Sequence, residues 1–322
     1  MASPNLSELI ATTLRDRSKK FADNVSKGNV ILMKLKEKGG WESAEGRSIV
    51  QEVEYAEGNF QWYSGYEAFN VAPPDVLSAA EFNWKQAVGT VTASGLETEV
   101  QNKGKAAVIP LLKSRIRNCE HTMKNNVTIG MYSDGTGSSG KQIGGLQHLV
   151  ADDPTSGTVG GIDRGVATNA FWRNQVYDNS TDGGAATTAA NIQAYMNATF
   201  LRCTRGNDRP NLIVTGTTYY ALFWASLQAI QRVTDEKTAT AGFQNLAFAG
   251  NVPVCFEDST GIPNQRMYFL NTDYLHFRYA EGRLFEPAKE MKPVNQDAEI
   301  HAIYFAGNLT ASNCALQGVM KE

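Results

Sequence analysis

The stretch GRSIVQEVEYAEGNFQWYSGYE, residues 46–67, carries the pattern that decides the fold. Apolar and acidic side chains alternate over residues 49–55, and aromatic and polar side chains alternate again from Phe60. A Glu-Gly-Asn turn signal at 57–59 lies between the two segments, and alternation on both sides of a turn is typical of a β-hairpin. We therefore predict a hairpin of roughly 30 residues that closes at the prolines at 73–74.

This hairpin needs a surface to pack against. A two-stranded hairpin alone is marginally stable in water, and this one carries several aromatic side chains that favour burial. A partner chain is the economical candidate for that surface. The hairpin residues that we predict to contact a neighbouring subunit are Glu52, Glu54, Tyr55, Phe60, Trp62, Tyr63 and Phe69.

The net charge of −3 conceals a local asymmetry. Residues 1–40 hold eight basic and four acidic side chains, whereas residues 41–75 hold seven acidic side chains and one basic one. The two segments could pair within one chain, pair between copies, where opposite charge sets register and orientation, or remain two separately solvated faces. The basic residues that we predict to contact neighbouring subunits are Arg15, Arg17, Lys19 and Lys20.

Composition limits the class of protein only broadly. The 322 residues suffice for two domains or for one large body with extensions. No apolar run approaches the roughly 18 residues of a membrane span, and the N-terminus lacks a basic-then-apolar leader, so we expect a soluble intracellular chain. A balance of 30 basic against 33 acidic side chains argues against a protein that coats DNA.

The remaining pattern mixes helices and strands without regular alternation, which predicts an α+β fold. The strongest helical periodicity runs over residues 96–125, as one long bent helix or two in line, and a strand is predicted to follow at 127–132. Nothing in residues 1–75 resembles the nucleus of a compact core. Further strands are predicted at 170–177, 212–214, 252–257, 267–270, 275–279, 284–285 and 300–305, and further helices at 187–203 and 219–233.

One segment imitates a phosphate-binding loop. Residues 135–141, GTGSSGK, satisfy its glycine and lysine positions and follow a predicted strand. Gln142 lacks the hydroxyl that would hold Mg²⁺, and the glycines at 144–145 disfavour the helix that should receive the phosphate. We interpret the segment as a flexible connector and keep a nucleotide-binding enzyme that uses Lys141 as the alternative.

No other pattern predicts catalysis. The four cysteines show no metal or disulfide spacing, and only Cys119 and His121 bring a cysteine and a histidine together. The Gly-x-Ser-x-Gly turn of serine hydrolases does not occur. We therefore predict a protein that is not an enzyme, with no catalytic residue, no cofactor and no metal.

A series of short motifs then follows in a characteristic order. The motifs are Gly46-Arg47-Ser48-Ile49-Val50, Tyr55-Ala56-Glu57-Gly58-Asn59, Trp62-Tyr63-Ser64-Gly65-Tyr66-Glu67, Phe82-Asn83-Trp84-Lys85-Gln86, Ser94-Gly95-Leu96-Glu97, Ser133-Asp134-Gly135-Thr136 and Ile143-Gly144-Gly145-Leu146. Each is weak alone, but together they cover nearly the whole chain. In this order they resemble the major capsid proteins of tailed bacteriophages with the Hong Kong 97-type fold.

The resemblance implies a division of the chain into the parts of that fold. Residues 1–40 would form the N-terminal arm and 41–75 the extended loop that lies over a neighbouring subunit. Residues 76–144 and 271–322 would form the peripheral domain, with a spine helix at about 96–125, and 145–270 the axial domain. Some relatives cross-link through a lysine of the extended loop, but residues 41–75 contain no lysine, so we do not expect this reaction.

The resemblance also implies a function. The chain would be a structural major capsid protein whose pentamers and hexamers form an icosahedral shell around double-stranded DNA, made in the bacterial cytoplasm and located in the virion. Its partners would be other copies of itself, a separate scaffolding protein and a decoration or cement protein, with no sequence-specific DNA binding and no membrane. An encapsulin-like nanocompartment shell of the same fold is the alternative.

Overall fold

The computed structural model describes residues 30–94, 105–227, 246–257, 261–288 and 298–322. The helices, labelled in chain order, are α1 (Val30–Glu37), α2 (Lys105–Tyr132), α3 (Leu146–Leu149), α4 (Ile192–Arg202) and α5 (Thr217–Ser226). Short helical turns lie at Gly137–Gly140, Ala167–Trp172 and Thr272–Tyr274. The strands are β1 (Trp41–Ser43), β2 (Ile49–Glu54), β3 (Leu77–Phe82), β4 (Lys85–Ser94), β5 (Thr158–Val159), β6 (Ile162–Asp163), β7 (Gln175–Asp178), β8 (Leu212–Thr215), β9 (Leu246–Phe248), β10 (Val252–Phe256), β11 (Arg266–Leu270), β12 (Leu275–Pro287), β13 (Ala298–Ala311) and β14 (Gly318–Lys321).

The first sheet has four strands in the order β1-β12-β13-β4. The long helix α2 packs beside β4, and Gly89 lies directly against the helix. A Cβ atom at Gly89 would lie 2.5 Å from Met123 Sδ and 2.7 Å from Cys119 Sγ. Glycine at this position therefore lets the helix approach the strand, and any larger residue would push the two apart.

The second sheet has six strands in the order β7-β14-β11-β8-β10-β9. Side chains alternate across it: Ile213 and Phe269 pack with α4 and α5, whereas Leu212 and Leu270 belong to the core shared with the first sheet. Strands buried on both faces read as continuous apolar runs, which is why LIVT at β8 was recognisable from the sequence. Strand β14 belongs to this sheet, although the predicted division groups residues 271–322 with the peripheral domain.

Helix α1 corrects the expectation that the first 75 residues contain no core nucleus. Val30, Ile31, Leu32 and Leu35 are fully buried in the main core. The buried carboxylate of Glu257 accepts a hydrogen bond from the backbone nitrogen of Val30 (2.9 Å), which satisfies a donor at the helix N-terminus. Eight residues are too few to show a period, so this helix depends on tertiary packing.

Several predicted elements need correction. Residues 127–132 continue α2 and form no strand, and residues 170–177 divide into a 3-10 turn and β7. The predicted strands at 275–279 and 284–285 are one strand, β12, whose register with β13 shifts between them. The long helix is confirmed over residues 105–125, whereas its predicted start at 96 lies outside the described residues.

The described helices and strands confirm the α+β class. No described helix combines the length and the apolar character needed to cross a membrane.

Candidate functional site: the extended hairpin and the groove beside β4

The hairpin is present, but its return strand differs from the prediction. Strand β2 pairs antiparallel with β3, from Ile49 opposite Phe82 to Glu54 opposite Leu77. The predicted return segment from Phe60 onward forms no strand and instead lies between the two paired strands. We name residues 49–82 the extended hairpin.

The register set by β2 and β3 continues to a tip at residues 64–67. The Asn59 side chain donates to the carbonyl oxygen of Ala72 on the opposite arm. The Gln61 Oε1 atom accepts from the backbone nitrogen of Asn70 (3.3 Å), and the Glu67 carboxylate accepts from the backbone nitrogen of Ser64 (3.1 Å). The predicted turn at 57–59 is wrong, because Asn59 bonds across the hairpin instead of closing it.

Gly65 explains where the chain turns. It adopts a left-handed conformation (φ +61°), which glycine tolerates without steric cost, whereas Gly58 does not have a positive φ. At about 3.3 Å per residue, the two arms at 49–64 and 67–82 extend over roughly 50 Å.

The root of the hairpin is fixed to the body of the subunit. Ile49, Val53, Ala80 and Phe82 form its buried face. On the return strand, the backbone nitrogen of Glu81 donates to the carbonyl oxygen of Gly160 in the β5–β6 turn (2.8 Å). A Cβ atom at Gly160 would lie 2.8 Å from Ala80 Cβ, so the close approach depends on glycine. The root is therefore packed on the body of the subunit and supports the projecting part.

The projecting part carries exposed aromatic side chains. The exposed fraction is 76% for Phe60 and 86% for Trp62, and Tyr63, Tyr66 and Phe69 are also more than half exposed. Phe60 and Trp62 pack edge to face with their ring centroids 5.2 Å apart, and Tyr63 packs on Phe69 in the same way at 4.9 Å. A cluster of exposed aromatic side chains is typical of a surface that binds another protein.

The other predicted contact residues have mixed positions. Glu52 and Glu54 are exposed on the face of β2 opposite its buried residues, as the alternation predicts. Tyr55 lies against Phe171 of the same chain, with ring centroids 5.2 Å apart, and is partly buried. The predicted arm residues Arg15, Arg17, Lys19 and Lys20 lie outside the described residues.

Sequence reasoning did not select Val50, Tyr66, Val71 and Leu77, which are also exposed; Val50 follows from its place beside Glu52 in the alternation.

The extended hairpin is uniformly acidic. It contains Glu52, Glu54, Glu57, Glu67, Asp75 and Glu81 and no basic residue. Within the described parts of the chain, none of these six carboxylates forms an ion pair. Glu42, just before the hairpin, does form an ion pair within the chain, with Arg278, and its carboxylate also lies 3.4 Å from His276 Nδ1. The six carboxylates therefore have no ion-pair partner among the residues that the structure describes.

A basic groove lies between α2 and β4, and we name it the α2–β4 groove. It has a volume of about 1140 Å³ and is lined along β4 from Lys85 to Ala93. The charged residues among its described lining are Lys85, Arg115 and Lys141, all cationic. The Lys85 ammonium donates to the carbonyl oxygen of Gly140, and Arg115 Nη1 donates to the carbonyl oxygen of Thr92 (3.2 Å).

The segment at 135–141 lacks the geometry of a phosphate-binding loop. Such a loop connects a strand to a helix, whereas this one follows α2 and forms a four-residue turn with left-handed Ser138 and Ser139. The Gln142 side chain occupies the space beside Gly137 that a cradle would need to leave open. In the described residues, no group of three or more His, Cys, Asp or Glu side chains is placed to hold a metal ion.

The fold resembles several solved shell proteins. The capsid protein of cyanophage A-1(L) is 14% identical, with 88% of this chain and 90% of that chain covered and a TM-score of 0.59. The capsid of Myoviridae phage XM1 is 12% identical, with 89% and 91% covered and a TM-score of 0.54. The SrpI encapsulin of Synechococcus elongatus is 11% identical, with 87% and 84% covered and a TM-score of 0.51.

These likenesses define the class of fold: the chain has the Hong Kong 97-like fold of phage capsids and encapsulin shells, as the sequence predicted. The likeness is one of structure, because no protein-family model and no curated protein matches the sequence.

Proposed function

We propose that the chain is the major capsid protein of a tailed bacteriophage, a structural subunit that assembles into an icosahedral shell around double-stranded DNA. The observation that carries the proposal is the extended hairpin, which projects acidic carboxylates and exposed aromatic rings from a packed root on a shell-forming fold. Such a surface lowers the solubility of a monomer, and it contributes binding energy only when a second molecule covers it.

The proposed partners are other copies of the same chain. Residues 1–29 would act as the arm, because the predicted arm residues 30–37 form α1 in the main core, and the first sheet with α2 would form the peripheral domain. The second sheet with α4 and α5 would form the axial domain, whose tips meet at the centres of pentamers and hexamers. Because β14 pairs with β7 and β11, the axial part would include residues 318–321 and not only 145–270. A separate scaffolding protein would act during assembly, and a decoration or cement protein would bind the assembled shell.

Electron microscopy of the purified protein tests the proposal, with closed shells as the expected result. A matched variant lacks residues 59–72 and closes the hairpin with an Asn-Gly turn, so that β2 and β3 remain. It should fold and stay dispersed. Only small dispersed particles of the parent chain, under every assembly condition tried, would overturn the proposal.

Small-angle scattering of the dispersed subunit gives a second readout. A compact 322-residue body should have a radius of gyration near ~20 Å. The part of the hairpin beyond β2 and β3, roughly 33 Å long at ~3.3 Å per residue, should raise that value, and the shortened variant should restore it.

An encapsulin-like compartment is the second candidate function, favoured by the likeness to the SrpI encapsulin. Both functions produce shells, but the contents differ. Shells isolated from the native source should contain nuclease-protected DNA in the first case and a packaged protein in the second.

A further inference from the structure

A cavity of about 710 Å³ lies where the root of the extended hairpin meets the glycine-rich loop at residues 134–144, and we name it the junction cavity. Its lining comes from the end of β3, the start of β4, the glycine-rich loop, α3, the β5–β6 turn and β13. The root of the hairpin and the body of the subunit therefore face each other across unfilled space.

Hydrogen bonds join the walls of the junction cavity. Asn308 is only 4% exposed; it accepts from the backbone nitrogen of Gly144 (3.1 Å) and donates to the carbonyl oxygen of Asn83 (2.9 Å). The Lys85 ammonium donates to the carbonyl oxygen of Gly140. Together with the backbone bond between β3 and the β5–β6 turn, these contacts fasten the hairpin root to the glycine-rich loop.

The side chain of His148 on α3 lines the junction cavity and packs against the glycine-rich loop. A Cβ atom at Gly144 would lie 3.1 Å from His148 Cδ2, so the ring lies directly against the residue whose amide bonds Asn308. The ring is partly buried. A change of charge on it therefore acts on the loop that is fastened to the hairpin root.

The charged groups around His148 come from four elements. The cations are Lys85 at the start of β4 and Arg164 directly after β6. The acids are Asp134, just after α2, and Glu81 on β3, whereas β13 contributes a neutral amide to the lining. Arg164 is fully buried, and it forms no ion pair with any residue that the structure describes.

A proton on His148 is unfavourable in these surroundings. The Asp134 carboxylate already accepts hydrogen bonds from the backbone nitrogen and the hydroxyl of Thr136 (2.9 and 2.8 Å), and Glu81 is exposed, so that solvent screens its attraction. Burial, Arg164 and Lys85 accordingly lower the pKa of His148, against the opposing charge of Asp134. Protonation therefore favours an arrangement in which the ring reaches water.

We propose that the junction cavity is an acid-sensitive hinge, in which a proton on His148 separates the glycine-rich loop from the root of the extended hairpin. Below about pH 6.5, where an ordinary histidine gains its proton, a third cation joins Lys85 and Arg164 and repels both. The hydrogen bonds across the cavity then break, and the hairpin root moves more freely relative to the body. The hinge is a property of the single subunit and goes beyond the proposed function.

Amide hydrogen exchange of the full-length protein tests the hinge. After correction for the intrinsic effect of pH, exchange at Gly144 and Glu81 should be at least about tenfold faster at about pH 5 than at about pH 7.5, because both amides bond across the junction. Exchange at Val214, in the buried strand β8, should change by less than about twofold. Equal acceleration at Val214 would show global unfolding and overturn the inference.

Histidine variants identify the group that responds. His148→Gln stays neutral at both pH values and should abolish the acid acceleration at Gly144. His121→Gln is the matched control, because His121 is exposed on α2 and lies outside the cavity lining. His276→Gln removes another partly buried histidine and should also leave the acceleration unchanged. Acceleration that persists in His148→Gln, or that disappears in either control, contradicts the inference.

Two further measurements do not depend on the folding of His148→Gln. Lys85→Gln keeps a side-chain donor near the Gly140 carbonyl oxygen but removes a repelling cation, so it should reduce the acid acceleration at Gly144 by about twofold or more. In the parent, the ring of His148 should titrate at a lower pH than that of His121 by NMR, and the reverse order would refute the hinge. None of these results requires a shell, so the inference can fail while the proposed function stands, and the reverse also holds.

Discussion

Replacing Trp62 with alanine should weaken assembly far more than it weakens the subunit. The indole is 86% exposed, and its aromatic contact within the chain is with Phe60 at 5.2 Å. Such a ring pair contributes about 0.5–1.5 kcal/mol, so the free energy of unfolding should fall by about 1.5 kcal/mol or less. A neighbour that covers the ring would remove about 150–250 Å² from water, worth roughly 4–6 kcal/mol at ~25 cal/mol per Å² before the costs of association.

A loss of about 2 kcal/mol per contact, typical of a central aromatic residue in an interface, corresponds to a roughly 30-fold higher concentration for assembly. Sedimentation of shells against subunit concentration measures this change, and urea unfolding of dispersed subunits measures stability. Phe82→Ala is the contrasting variant, because Phe82 is only 4% exposed at the hairpin root and its loss should cost about 3–5 kcal/mol of folding stability. Assembly of Trp62→Ala within about twofold of the parent would refute an interfacial role for the ring.

Three further predictions concern the subunit itself. Gly145→Ala should lower the free energy of unfolding, measured in urea, by about 1–3 kcal/mol or more, because the added Cβ would lie 2.5 Å from the Met131 carbonyl carbon. Gly130→Ala is the control and should be tolerated, because its Cβ would lie 3.5 Å from Ile143. Asp152→Asn should lower the free energy of unfolding by about 1 kcal/mol in the same assay, because it weakens the bidentate pair with Arg266 (2.8–3.0 Å). If this loss of stability is unchanged at high salt, its cause is not electrostatic. Burial and the cations Arg164 and Lys85 lower the pKa of His148 in the folded state, against the opposing charge of Asp134, so the unfolded chain binds the proton more readily. Stability should therefore fall as pH drops below about 6.5, and His148→Gln should reduce that slope in urea titrations at several pH values.

The sequence predicts β2 well and β3 poorly for a physical reason. The alternation from Ile49 to Glu54 is local, and its apolar face is visible without knowing the partner strand. The partner LSAAEF has only weak strand character, and it is a strand because it pairs with β2 and because Gly160 lets the β5–β6 turn approach Ala80. That information comes from residues distant in the sequence, so the tip of the hairpin was misplaced.

The same distinction applies to α2. The run from Val127 to Tyr132 contains β-branched and aromatic residues that favour a strand by local propensity. Gly130 nevertheless lies within the helix, where the space beside it is filled by Ile143, and tertiary packing overrides the local preference.

The exposed rings of the extended hairpin could be predicted from the sequence, but the α2–β4 groove could not. Trp62 and Phe69 lie in one continuous segment, and the sequence alone indicates that this segment does not form a core of its own. Lys85, Arg115 and Lys141 are far apart in the chain, and only the packing of α2 along β4 brings them to one cavity. A site whose members meet through tertiary structure leaves no spacing signal in a single sequence.

The proposed contact determines the symmetry of the assembly. The extended hairpin of one copy would contact a different surface of the next copy, because its own carboxylates repel one another. Two copies therefore gain little from a two-fold dimer in which like surfaces meet, because six carboxylates would then face six carboxylates. The favourable arrangement places the hairpin of each copy on a different surface of the next, a head-to-tail contact that must close into a ring or propagate. Closed rings of such contacts are what the proposed pentamers and hexamers require.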